Sequence, residues 1–419
     1  MKRDKLQDLH LKLTKLEKTL AQQENPELLA EILKVKAELE ISSLAAAQGA
    51  QTRSRTKFIE QGEKNTAYFL NLEKTNAASN TITSITAENG QIFTTQNDIL
   101  IQQTKFYKEL YQEDPSLQNK SDKYISDFLG QNCTVPSLEE EDRDSCEGRI
   151  TEKETAEALK DMKNGSSPGC DGLTTDFYKT FWQYIKEMLL EFIERSIEIG
   201  LVSQTQKRGI ITLIHKGNNL QRDNLANWRP VTLLNTDYKI LAKALARRLN
   251  TVLTKLIAND QCGFIKGRNI GTIIRTTDDV INYTNSKQLP GLLVAVDFTK
   301  AFDTISKKLI IDSLKPYGFG PDFIHWVSTL ITQAESCTTH YGWTSEPFQV
   351  ERGIRQGCPF SPLIFVLAVE LLAHKIRNSN IKGIKMGIEN PSLESIIKIQ
   401  QFPMIPLSTY KMKTTLKQH

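Results

Sequence analysis

Two carboxylates, Asp297 and Asp303, close the run Leu292-Leu293-Val294-Ala295-Val296-Asp297-Phe298-Thr299-Lys300-Ala301-Phe302-Asp303. An acid delivered to an open cleft suits Mg2+, a hard cation that takes one or two protein carboxylates and leaves its other positions to water and substrate phosphates. A second stretch, Glu351-Arg352-Gly353-Ile354-Arg355-Gln356-Gly357-Cys358-Pro359, carries two glycines, so its backbone can come close to a ligand. A strand ending in a turn with a solvated aspartate fits the first run as well, so neither stretch decides the chemistry alone.

The elements that must position these groups follow from local pattern. Leu292 to Val296, with two β-branched valines, predicts a short buried strand that ends at Asp297. Ser361 and Pro362 read as N-cap and first residue of an apolar helix from Leu363 to about Arg377. Thr151 and Glu154 form a capping box opening a helix to about Lys163. Gly209 to His215 alternates as a strand, and Tyr238 to Ile257 predicts a helix with Leu241, Leu245, Leu249, Val252 and Leu256 on one face. Beside that face Lys239, Lys243 and Arg247 make a basic stripe, facing phosphate or simply solvated. Asp278-Asp279 lies in a helical pattern, where neighbours point about 100° apart, so the pair reads as surface acids.

Upstream, Leu6, Leu9, Leu13, Leu16 and Leu20 alternate steps of three and four, and a second helix after Asn25-Pro26 carries Leu28, Ile32, Val35 and Leu39. This is a helical hairpin or short coiled coil able to self-associate through residues 6–39, or an amphipathic pair packed on its own domain. The polar, acidic residues 113–150 predict a linker. Hydrophobic content of 39%, charged content of 24% and a net charge of +4 are ordinary for a soluble chain and permit a nucleic-acid partner without demanding one. Six cysteines without CxxC spacing argue against zinc and for a reduced, intracellular protein of nucleus or cytoplasm. No signal peptide is visible, and the apolar run Leu363 to Val369 stops at Glu370, too short to span a membrane.

The runs around Asp297 and Gln356 resemble the polymerase motifs A and B of reverse transcriptases, most of all those of non-LTR, LINE-type retrotransposons. Gln261-Cys262-Gly263-Phe264-Ile265-Lys266-Gly267-Arg268, Asn227-Trp228-Arg229-Pro230-Val231 and Gly62-Glu63-Lys64-Asn65-Thr66-Ala67-Tyr68-Phe69-Leu70 extend the resemblance from about Lys57 to Gln401. It implies an α+β right-hand polymerase: a helical region 1–57, a connecting region 58–150, fingers 151–290 and a partial palm 291–402. It implies RNA template and DNA primer as partners and Mg2+ as cofactor, with Asp297 as catalytic metal ligand and the carbonyl of Phe298 beside it. Phe302 would lie under the sugar and exclude a ribose 2′-OH. Gln356, Gly357 and Arg229 would meet the incoming nucleotide, although Arg229 also fits a surface arginine between Trp228 and Pro230. Ser166 stands where the family carries a lysine, which weakens a phosphate role there.

The family completes its two-metal site with Phe/Tyr-Ala-Asp-Asp on a hairpin. Here Phe402 is followed by Pro403-Met404-Ile405-Pro406-Leu407, and no acid occurs after Glu394. One added G in front of codons for Pro-Met-Ile-Pro regroups them so that they can spell Ala-Asp-Asp-Thr; Met404 and Ile405 force the second Asp whatever the silent bases, and codon choice permits the other residues. The expectation is an out-of-frame tail over 403–419, a missing thumb, and either an inactivated reverse transcriptase or a non-catalytic nucleic-acid-binding or assembly remnant.

Overall fold

The computed structural model describes residues 81–401 apart from 116–122, 131–132, 218–219, 387–394 and 400, together with positions 12, 13, 15, 16, 19, 31, 32 and 34–38. The chain divides into two compact units, Met1–Thr83 and Ser84–His419. In the first, the described positions up to 38 are helical; Leu13 and Leu16 are half-buried, and Ile32 and Val35 are buried. Lys12 pairs with Glu31 at 3.0 Å. Leu6, Leu9, Leu20, Leu28 and Leu39 lie outside the described residues, as do the 62–70 motif and the tail 403–419.

The second unit opens with β1 (Ile85–Thr86) and β2 (Ile92–Phe93), then α1 (Gln96–Leu110), α2 (Tyr124–Leu129), α3 (Glu140–Cys146), α4 (Glu152–Lys160), α5 (Thr175–Ile199) and α6 (Gln204–Lys207). Next come β3 (Arg208–His215), β4 (Trp228–Leu233), α7 (Thr236–Leu256), α8 (Ile270–Ser286), α9 (Ala301–Thr304), α10 (Lys307–Leu314) and α11 (Pro321–Ile331). β5 (Glu335–His340), β6 (Trp343–Thr344), β7 (Phe348–Gln349), α12 (Ser361–Arg377), β8 (Ile384–Met386) and β9 (Ser395–Ile397) complete the order. The main sheet runs β4-β3-β5-β6, with β7 also on β5. β3 is antiparallel to β4 and parallel to β5, placing Ile211 opposite Thr232 and Ile210 opposite Cys337.

Periodicity explains the helices that form the core. Ile240, Leu241, Leu245, Leu249 and Val252 of α7 and Ile364, Leu367 and Leu371 of α12 are buried in one cluster. The capping box holds at α4, where Thr151 and Glu154 exchange backbone-to-side-chain bonds. Asp278 and Asp279 are exposed on α8, as expected of surface acids. A smaller cluster, with Tyr107 and Tyr111 from the end of α1, covers Ile211, Phe348 and Val350 on the sheet.

Three expectations are corrected. Residues 292–296 form no strand, and Leu292, Val294 and Val296 are 77%, 68% and 74% exposed. Apolar β-branched residues make a strand only where a neighbour satisfies the backbone, and no described strand pairs with this run. Residues 113–150 are not a simple linker. Cys146 is fully buried, Leu138 donates to the Tyr317 carbonyl, and Glu147 accepts from the backbone of Asp322 and Phe323 at the start of α11. Acids at a helix N-terminus find partial positive charge, so this acidic stretch docks. At α12 the N-cap is Phe360, without a side-chain bond, and Ser361 is the buried first helical residue.

Candidate nucleotide site

The site begins at a turn. Lys300 takes a left-handed conformation (φ +52°) and opens the single-turn helix α9, whose Asp303 amide donates back to the Lys300 carbonyl. That turn aims Phe302 inward, stacked on Phe365 at 4.7 Å and edge-on to Phe264 at 6.1 Å. The glycine loop then closes over α9. Gly353 donates to Ile305, and Ile354 donates to the Phe302 carbonyl at 2.7 Å. A Cβ at Gly353 would sit 2.5 Å from the Asp303 carbonyl oxygen, so only glycine fits.

The far end of the loop docks on the sheet. Thr232 of β4 donates to the Gln356 carbonyl at 2.7 Å, and a Cβ at Gly357 (φ +119°) would lie 2.4 Å from the Thr232 carbonyl oxygen. Arg355 is buried over the Tyr238 ring and donates to the carbonyls of Gln206 and Lys207, so it locks the loop to α6. Arg229 stands three residues before Thr232 on β4, opposite Ile214. The structure thus brings Phe302, Gln356, Gly357 and the strand of Arg229 together. Asp297 and Phe298 are exposed on the unpaired segment that leads into this turn.

Asp303 lies at the centre. It is 3% exposed, accepts from the Tyr111 hydroxyl at 3.0 Å, and accepts from Gln356 Nε2 at 3.2 and 3.3 Å. Burial pushes its carboxyl up to about 6, against those two hydrogen bonds and the charges of Lys300 and Lys216. Lys216 and Lys300 are both held below the ordinary lysine range, first by burial and then by neighbouring cations, Arg229 for Lys216, and Lys216 and Arg352 for Lys300. Crowded, half-buried cations beside Asp303 make a positive field suited to polyanions.

A carboxylate whose folded pKa is raised keeps its full stability contribution below the unfolded value, near 3.8, and loses it as pH rises through about 6. Asp303→Asn is therefore expected to stabilise the protein at pH 7.5 by on the order of 2–3 kcal/mol and to lose that advantage below pH about 4. Thermal melts across pH check this; a variant less stable than the parent at pH 7.5 would contradict it.

The basic stripe on α7 is placed differently. Arg247 pairs with Glu157 and Asp161 of the α4 region, and Lys239 is half-buried with its ammonium on the Ser167 carbonyl. Lys243 is partly exposed between them. At Arg247 the stripe is a seam against α4, because Glu157 and the C-cap Asp161, one helical turn apart, both pair with that one guanidinium. Sequence reasoning gave Asp303 no role and missed Tyr111, Lys216 and Lys300. The first had a signal, its place six residues beyond Asp297, whereas Tyr111 had none across a separation of 192 residues.

Residues 214–389 match the family described as reverse transcriptase (RNA-dependent DNA polymerase). The chain is 32% identical over 356 residues to the "Transposon TX1 uncharacterized 149 kDa protein" of Xenopus laevis, covering 85% of this chain and 26% of that protein. It is 26% identical to the "Retrovirus-related Pol polyprotein from type-2 retrotransposable element R2DM" of Drosophila melanogaster, over 53% of this chain and 20% of that protein. It is 22% identical to the "Probable RNA-directed DNA polymerase from transposon BS" of the same fly, over 52% and 24%. With its mixed helix-and-sheet fold, the chain carries a reverse transcriptase domain. That domain is of the non-LTR, LINE-type retrotransposon family. The chain spans about a quarter of the length of the first of these relatives and a fifth of the second.

Reverse transcriptases use divalent metal ions and bind an RNA template and a DNA primer. Among the described residues no group of three or more His, Cys, Asp or Glu is placed to hold a metal ion. Asp297 and one carbonyl do not fit a pair of ions about 4 Å apart, so no metal-dependent step is assigned here. No described helix is long and apolar enough to cross a membrane.

Proposed function

We propose that this chain supplies the nucleotide-gripping part of an enzyme that extends a DNA primer on an RNA template. In this reading Asp297, with the Phe298 carbonyl, is the motif A ligand for Mg2+. Phe302 lies under the sugar, and Gln356, Gly357 and Arg229 meet the incoming nucleotide. The observation that carries it is the docking of the glycine loop on α9 and β4, which gathers Phe302, Asp303 and Gln356 beside Lys216 and Lys300. Fingers over 151–290, a partial palm over 291–402, self-association through 6–39, and a nuclear or cytoplasmic location belong to the same proposal.

As translated, the chain binds without polymerising, because the residues from 395 to 419 include no acid to join Asp297. Primer extension with Mg2+ or Mn2+, with Asp297→Ala as control, is the test. Extension by this chain that disappears in the control would overturn the inactive half of the proposal.

Binding has its own signature. Affinity for an RNA–DNA duplex should fall steeply with salt, and Lys216→Ala or Arg229→Ala should each reduce the log–log slope by about 0.7–0.9. Arg247→Ala should leave the slope unchanged, because its charge is spent on Glu157 and Asp161. Equal losses in all three would show that the seam on α7 faces nucleic acid.

A further inference from the structure

The Gln356 side chain has two unlike ends, and one is committed. Its Nε2 donates to both oxygens of Asp303, while its Oε1 makes no hydrogen bond to any described residue. An ionised carboxylate can only accept, so a buried one dictates which end of the amide turns toward it. Tyr111, at the C-terminal end of α1, spends its hydroxyl on the same carboxylate oxygen. Its backbone carbonyl also accepts from Glu351 and Arg352 at the head of the glycine loop, and Arg352 Nε donates to Leu110. The end of α1 is thus tied to both halves of the site, although it lies outside the residues that match the polymerase family.

We propose that Asp303, held by Tyr111, is a positioning residue that turns the Gln356 amide oxygen toward the bound nucleotide. The site then favours ligand groups that donate a hydrogen bond, a sugar hydroxyl or a base N–H, over phosphate oxygens at that point. This rests on the reading of Gln356 as a nucleotide contact. A protonated Asp303 donates as well as accepts, which frees the amide to turn over and present its NH2 instead. The groups that face Asp303 are Tyr107 and Tyr111 from α1, Lys300 from its own turn, Lys216 beyond β3, and Gln356. With the carboxyl pushed up to about 6, the change falls in an accessible range.

The test is dGTP binding with Mg2+ to the full chain by calorimetry between pH 5 and 8. Phosphate titration is common to all variants, so affinities are compared as ratios at each pH. Parent over Asp303→Asn should be about tenfold at pH 8, the worth of one hydrogen bond from the ligand to the Gln356 amide oxygen, and should fall to about one at pH 5. Tyr111→Phe removes a bond that favours the ionised form, so it should move the midpoint to higher pH. In a Gln356→Ala background, Asp303→Asn should have no further effect. A ratio constant with pH, an unmoved midpoint in Tyr111→Phe, or an undiminished effect without Gln356 would each overturn the positioning role. A parent that binds no dGTP, or a Gln356→Ala variant as tight as the parent, would instead remove the nucleotide reading of Gln356 and this inference with it.

Discussion

Replacing Arg248 with methionine is expected to destabilise the Ser84–His419 unit by about 3–5 kcal/mol, the cost of leaving buried partners of a charge unpaired. Arg248 sits on α7, 9% exposed, with its guanidinium 4.8 Å from the Trp326 ring centroid. It donates to the carbonyls of Cys146, Glu147, Gly148 and Arg149, and twice to Glu154. Four successive carbonyls that turn inward to one side chain are what dock the stretch between α3 and α4. Methionine matches the stem and offers no donor, so those carbonyls lose their partner without gaining water. Lysine should recover little, since a point charge cannot fork to six acceptors. Burial alone would raise the Glu154 carboxyl, but Arg248 and Thr151 bring it below the ordinary carboxylate range. Its contribution is present above the unfolded pKa and fades as pH falls through the folded one. The variant should therefore show a flatter acid limb in urea denaturation. A midpoint shift worth less than about 1 kcal/mol would refute the hub.

The largest expected change is in activity. A single base inserted after the Phe402 codon, with the downstream frame restored, should convert a chain that extends no primer into an Mg2+-dependent polymerase. The restored protein should exceed its own Asp297→Ala version by on the order of a thousandfold or more, the scale of losing a central catalytic group. The fold supports a short path to that outcome. Gln401 donates its amide to the Asp260 carbonyl at 2.8 Å, pairs with Gln261, and donates its side chain to Glu370 at 3.0 Å. Glu370 is fully buried on α12 and is also bound by Arg377. The chain therefore leaves Gln401 from an anchored point, two residues before the position where Ala-Asp-Asp would begin. The exposed run Leu292–Val296 would gain in that hairpin the strand neighbour it lacks among the described residues. The coding nucleotides decide the frame: if the shifted frame spells no Ala-Asp-Asp or close variant, the deletion did not occur. If it does and the repaired protein still extends nothing, Asp297 is not the metal ligand.

Several features set by contacts within a few residues were determined by the sequence itself, the N-cap of α12 excepted. The Thr151 capping box, the apolar face of α7 and the alternation of β3 arise from helix and strand periods that any copy of those residues would repeat. The glycines at 353 and 357 mark by type a loop whose backbone can come close to a partner, but tertiary structure decided that the partners are Asp303 and Thr232. Tertiary structure decided everything whose partner lies far along the chain. It decided that Arg247 faces two acids rather than phosphate, that an acidic stretch docks instead of linking, and that an apolar run without a neighbour stays open. Above all it decided that Tyr111 and Asp303, 192 residues apart, share one buried hydrogen bond. A residue's type sets which bonds it is able to make, but burial sets their strength and packing chooses the partner, and neither is a property of a short stretch of chain.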